Sequence, residues 1–178
     1  IGRRGMEYAF LLDKSLQERI EGRSLKNHME KTTAGEAEIR ITDTPGYPTS
    51  PGETIIAMLT SQAAILTVEP EQLTKENPEL QDLIRVIRAY GPTKIIPINM
   101  KGKMDQERYR KAEEKLEEAT REIKDKIASK PIPISPLEGT NIKDRDVEWY
   151  EGKPLLQAIL DLKIRPTVRE PARALVYD

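Results

Sequence analysis

The chain has 178 residues, with 29 Lys plus Arg against 30 Asp plus Glu and a formal charge of −1, so it has no global basic field and any nucleic-acid contact must use a local patch. It contains no cysteine and a single histidine, His28, which excludes disulfides, thiolate metal sites, cysteine nucleophiles and multi-histidine zinc sites and argues against a Ser-His-Asp triad. No apolar run approaches the roughly 18 residues a membrane helix needs, and the composition predicts one ordinary soluble, cytoplasmic domain with no membrane partner.

The first element is a helix over residues 6–20, where Met6, Ala9, Phe10, Leu16 and Ile20 recur at helical spacing. Gly22 stops it, and residues 22–35 are polar and read as a loop. Residues 36–42 alternate, with Ala37, Ile39 and Ile41 on one face, which predicts a strand ending in Asp43-Thr44-Pro45-Gly46. A loop over 47–52 and a short apolar helix over 53–59 follow. Residues 63–68 form a continuous apolar run, as in a strand buried on both faces.

The next helix is well punctuated. Asn77 is a good N-cap, Pro78 suits the first helical position, Leu80, Leu83, Ile84 and Ile87 make one stripe, and Gly91 suits the end. Residues 94–99 read as a strand despite Pro97. Residues 106–128 predict the longest helix, with Tyr109, Ala112, Leu116, Ala119, Ile123 and Ile127 spaced by threes and fours. A short strand over 131–135 and a helix over 154–162 complete the pattern, and residues 165–173 are Pro- and Arg-rich like a linker.

Helices alternating with strands predict an α/β fold: a three-layer, mostly parallel sheet with helices on both faces. Such sheets bind ligands beyond the carboxyl ends of their strands. The loops after Thr42, Val68, Asn99 and Ile134 are therefore the places to look for chemistry.

Four signals fall in or near them. Asp43 at a strand end can hold Mg²⁺ through water, and Gly46 lets its backbone N–H approach a terminal phosphate; alone, the segment is also an ordinary turn. Asp105 can accept two hydrogen bonds from the N1 and N2 donors of guanine, with the Lys103 stem along the base plane, or it can simply cap the following helix. Ser135-Pro136-Leu137 offers backbone N–H groups to a base carbonyl, or is a plain strand exit. Ser24 can ligate Mg²⁺ through its hydroxyl, or merely follow a helix end.

The serial order of these signals carries more than any one of them. On this order and on longer matches, the chain resembles the translational GTPases of the elongation factor 1-alpha type. EYAFLLDKSLQERIEGRSL (7–25) is similar to their first-switch segment, ITDTPGY (41–47) to I-D-A-P-G-H, and TSQAAILTV (60–68) to a family strand. QERYRKAEEKL (106–116), ISPLEGTNI (134–142) and EWYEGKPLLQAILDL (148–162) resemble the helix after the guanine motif, the base-contacting loop and the closing helix. The GTPase subunit of sulfate adenylyltransferase shares much of the pattern.

The resemblance implies a partial P-loop GTPase G domain over residues 1–163, with 164–178 as linker and start of a following domain. It implies GTP/GDP and Mg²⁺ as cofactors, and aminoacyl-tRNA, the ribosome and a nucleotide-exchange factor as partners. It places Asp43 and Gly46 on the Mg²⁺ and γ-phosphate motif and Ser24 on the switch threonine. Asn99, Lys103 and Asp105 fall on the guanine motif, Ser135 and Leu137 on the base-contacting loop, and Tyr47 where the family has its water-positioning histidine.

Three departures stand out. The phosphate loop G-x-x-x-x-G-K-[ST] does not occur in the 178 residues, and a phenol at 47 is a poor water-positioning base near neutral pH. Met100-Lys101-Gly102 also separates Asn99 from Lys103. The expectation is an N-terminally incomplete G domain, lacking the first strand, with weak independent nucleotide binding and low stability from an unpaired sheet edge. A degenerate or truncated G domain acting as a non-catalytic binding module is the alternative.

Overall fold

The computed structural model describes residues 26–45, 50–68, 73, 77–100, 105–162 and 164. The helix expected over 6–20, Ser24, Gly46, Tyr47 and Lys103 lie outside the described residues.

The first described element corrects the loop expected over 22–35. His28–Ala34 is a strand, β1, paired antiparallel to β2, Ala37–Asp43, with His28 opposite Asp43 and Ala34 opposite Ala37. Thr32 and Thr33 favour extended backbone, and the two-residue turn is closed by Gly35 at φ 61°, a left-handed conformation that suits glycine. The hydrophilic β1 gave no alternation because neither of its faces is buried.

Helix α1, Pro51–Thr60, follows, with Pro51 at its start and Thr54 and Ala57 buried. It anchors the hairpin: Asn27 Nδ2 donates to the Glu53 carbonyl (2.9 Å), and the Asn27 N–H donates to Glu53 Oε2 (3.2 Å).

Three strands, β3 (Ala64–Val68), β4 (Ile95–Met100) and β5 (Ile132–Ile134), form a parallel sheet in the order β3-β4-β5. Among the described residues the strands therefore form two sheets, a two-stranded antiparallel one and this three-stranded parallel one, where a single mostly parallel sheet was expected. β3 also differs from its expected burial on both faces. Leu66 and Val68 are buried, whereas Ile65 is 43% exposed and Thr67 is exposed.

The prolines fit the ladder for a specific reason. The Lys94 carbonyl bonds to Ala64 on β3, and the Ile95 carbonyl bonds to Ala128 on the other side. Backbone groups alternate sides along a strand, so Pro97 faces the β5 side. There it falls between the Ile95–Ile127 bridge and the first β4–β5 pair, Ile98 with Ile132. Its missing N–H costs no ladder bond. The Pro133 carbonyl similarly turns away from β4 and accepts from Asn141 Nδ2 at 2.9 Å.

Helix α2, Pro78–Tyr90, begins as its sequence implies, with Asn77 Oδ1 accepting from the Leu80 N–H at 3.1 Å. Gly91 ends it with φ −69°, so left-handed backbone is not the reason for glycine. The reason is space: a Cβ there would lie 2.5 Å from the Ile87 carbonyl oxygen. Lys126 Nζ donates to the carbonyls of Ile87 (2.9 Å), Arg88 (3.1 Å) and Gly91 (3.0 Å), placing a cation on the negative end of the helix dipole.

The single helix expected over 106–128 is two pieces. α3 runs Gln106–Ala119, and a 3-10 segment, Arg121–Lys126, follows. Thr120 breaks the run, its Oγ1 and N–H both bonding to the Leu116 carbonyl. The turn buries Ile123 completely, sends Lys126 to the end of α2, and brings Ile127 alongside Ile95. A straight helix would carry all three away from the sheet. The last helix, α4, is Leu155–Leu160.

Neighbouring strand residues feed separate cores. Leu66, Val68 and Ile95 pack with Ile84, Ile87, Ala112, Leu116 and Ile123, while Ile96, Ile132 and Ile134 pack with Tyr109, Tyr150 and Ala158. The second cluster is aromatic. Tyr109 lies 5.1 Å from Trp149 and 6.0 Å, edge-on, from Tyr150 by ring centroids, and its hydroxyl donates to the Pro131 carbonyl at 2.7 Å. Burial pushes both tyrosine hydroxyls up, helped by the Glu113 carboxylate, and Tyr150 reaches about 12. No described helix is long and apolar enough to cross a membrane.

Candidate functional site

The parallel register aligns the carboxyl ends of the three strands. Val68 pairs with Asn99, Asn99 with Pro133, and Met100 with Ile134. The chain leaves this row into α3 on one strand and into the Ser135 loop on the next. The parallel pairing thus sets the carboxyl ends of β4 and β5 side by side at one edge of the sheet.

Asn99 lies in β4 at this row. Asp105 is exposed and caps α3, its Oδ1 accepting from the Arg108 N–H at 2.8 Å. The capping reading of Asp105 is therefore correct as far as it goes. A carboxylate has several acceptor positions, so one helix N–H leaves room for a second recognition task.

Ser135 begins a tight loop. Its N–H donates to the Thr140 carbonyl (3.3 Å), and its own carbonyl accepts from Thr140 (3.1 Å) and Glu138 (3.2 Å). Leu137 stands at the tip, 71% exposed. An apolar side chain held out on a hydrogen-bonded loop suits contact with a flat apolar face better than a role in this core.

Asp43 closes β2 opposite His28 and is half-buried. It is tied to α1 through the neighbouring Pro45, whose carbonyl accepts from Thr54 Oγ1 at 3.5 Å. Asn99 and the Ser135 loop thus stand at the carboxyl ends of neighbouring strands of the parallel sheet, Asp105 precedes α3 as its cap, and Asp43 ends a strand of the hairpin. Among the described residues no group of three or more His, Asp or Glu forms a metal cage.

The residue that sequence reasoning missed is Asn141. It is fully buried, has φ 53°, and takes part in five hydrogen bonds with four residues behind the Ser135 loop. Asn tolerates left-handed backbone better than most residues, but an Asn after Gly-Thr reads first as a surface turn.

Together these features define an α/β domain with its loops at the carboxyl edge of a parallel sheet. The model of the family described as "Elongation factor Tu GTP binding domain" matches residues 1–164, and the chain belongs to that family, whose fold is that of the P-loop GTPases. Elongation factor 1-alpha of Archaeoglobus fulgidus is 28% identical over 185 residues, covering 99% of this chain and 43% of that protein. Elongation factor 1-alpha of Methanocorpusculum labreanum is 29% identical over 191 residues, again 99% and 43%. That of Natronomonas pharaonis is 24% identical over 184 residues with the same coverage. The chain thus spans 43% of the length of these relatives.

Proposed function

We propose that this chain is the G domain of a translation elongation factor that binds GTP and GDP with Mg²⁺, delivers aminoacyl-tRNA to the ribosome in the cytoplasm, and hydrolyses GTP there. A three-layer, mostly parallel sheet within a partial G domain over residues 1–163, with 164–178 leading into a following domain, belongs to the same proposal, as does a nucleotide-exchange factor as partner. The observation that carries it is the shared edge: Met100 and Ile134 pair at the carboxyl ends of adjacent parallel strands, and the segments holding Asp105 and Ser135 follow them in sequence. In this reading Asp105 accepts from the guanine N1 and N2 groups, Lys103 lies along the base, and the Ser135–Leu137 amides meet the base carbonyl. Asn99 braces the guanine loop. Asp43 and Gly46 serve the metal and terminal phosphate, with Ser24 as second metal ligand. Bound Mg²⁺ would neutralise charge developing between the phosphates.

Asp105→Asn separates the two roles of this carboxylate. Asn caps helices as well as Asp does, so the midpoint of unfolding should stay fixed. GDP affinity should fall at least tenfold, because an amide donor would face the guanine N1 donor. Unchanged GDP affinity would reject the assignment.

A second reading, a binding module without hydrolysis, is favoured by Tyr47, which stands where the family has its water-positioning histidine. Multiple-turnover phosphate release from GTP by the 178-residue chain rules it out.

A further inference from the structure

We infer that Asn141 is the positioning residue of the base-contacting loop, setting its guanine selectivity from behind; this rests on the guanine reading above. The loop alone is held by hydrogen bonds between its two ends, Ser135 and Thr140. Such a six-residue clasp hinges freely about its base unless something fixes that base to the sheet. Asn141 does so with both ends of its side chain. Nδ2 donates to the Pro133 carbonyl, two residues before the loop begins. Oδ1 accepts from the N–H groups of Asp146 (2.8 Å) and Val147 (3.2 Å).

The Asn141 N–H donates to Asp146 Oδ2 at 2.9 Å, which closes a reciprocal ring with the segment beyond. Its carbonyl accepts from Leu155 at the start of α4 (2.9 Å). One fully buried amide therefore joins strand β5, the loop and the closing helix.

Three features make this more than packing. Pro133 has no N–H, and its carbonyl turns away from β4, so the strand offers an acceptor that Asn141 Nδ2 takes up. The left-handed backbone at 141 reverses the chain directly after the clasp, which fixes where the loop tip points. The loop it aims carries the exposed Leu137 and the amides assigned to the base carbonyl. A directional hydrogen bond to a base tolerates little angular error, so loosening the mount should lower selectivity before it lowers phosphate affinity.

The test uses the intact polypeptide and competition binding with GDP and ADP. Asn141→Gly keeps the backbone conformation and removes all side-chain ties. Asp146→Ala, at an exposed position, removes the outer tie alone and keeps the test valid if the glycine variant does not fold. The expected result is at least a tenfold loss of GDP-over-ADP preference for Asn141→Gly and about threefold for Asp146→Ala, with ADP affinity unchanged and faster amide exchange confined to residues 136–147. Equal losses of GDP and ADP affinity, or a lower melting temperature with the preference intact, overturn the inference and leave the guanine reading standing. An unmodified protein without preference for GDP overturns both.

Discussion

The parallel sheet and the β1–β2 hairpin are built from similar numbers of strand residues but by opposite means. In the sheet, β5 is buried at all three positions and β4 contributes Ile95 and Ile96 to two separate cores. In the hairpin, Met29 is 61% exposed and Ile41 50% exposed, and the ribbon is fastened to α1 at Asn27. The stability of the sheet comes from apolar burial, which is cooperative and insensitive to any one surface group. Among the described residues the hairpin is held by its ladder and by the polar bonds at Asn27, so it is expected to open at lower cost than the sheet. The two regions carry different parts of the proposed site. The loops assigned to guanine stand on the buried sheet, and Asp43, assigned to the metal and terminal phosphate, stands on the exposed hairpin.

The largest expected effect is in the core. Leu116→Ala should cost about 3 kcal/mol of global stability, since it empties a fully packed position. Ile41→Ala on the hairpin should stay within about 0.5 kcal/mol. Chemical denaturation of both variants checks the contrast; equal losses would mean that the hairpin is as tightly packed as the sheet.

Alkaline pH should act on the sheet region alone. Both Tyr109 and Tyr150 are held neutral above their ordinary range. The unfolded chain therefore loses these protons first, so stability is constant below the ordinary tyrosine value of 10.0 and falls as pH rises towards about 12. Tyr150→Phe should flatten that fall in a melting-temperature profile. A profile identical to the parent would place the cost elsewhere.

Lys126→Met keeps the aliphatic stem and removes three charge-assisted bonds at the end of α2, which should cost roughly 1–2 kcal/mol. Asn77→Ala at the other end of the same helix should cost about 1 kcal/mol. Smallest in global terms is Asn27→Ala. It should speed amide exchange in β1 and β2 by an order of magnitude or more while leaving the denaturation midpoint of the sheet unchanged. A matching loss at both sites would show a single cooperative unit.

Where burial is one-sided or punctuated, the elements were legible: α1, α2 and α4 lie where apolar spacing, Asn77 and the prolines indicate. Strand β1 was not, because periodicity reports burial and β1 has none. The break at Thr120 was hidden because Ile123 and Ile127 keep helical spacing in the sequence while serving a 3-10 segment and a strand bridge. Ile65 shows the converse error, since an unbroken apolar run need not be buried on both sides. At the proposed site, Asp105 caps α3 and Ser135 follows β5, as their places in the sequence imply, while their roles toward a nucleotide belong to the proposal. Asn141 was not legible, because its importance lies in four partners that only the fold assembles. Tyr109, Trp149 and Tyr150 lie in segments that carry the family likeness, yet they build the core beneath the site.

The account's central claim is that guanine is read at the edge where β4 and β5 end side by side. Amide hydrogen exchange of the intact polypeptide with GDP, compared with ADP, tests it most directly. The account predicts GDP-specific protection at Asp105 and across residues 135–140, with ADP leaving both segments unprotected. Equal protection by the two nucleotides, or protection at neither segment, would contradict it.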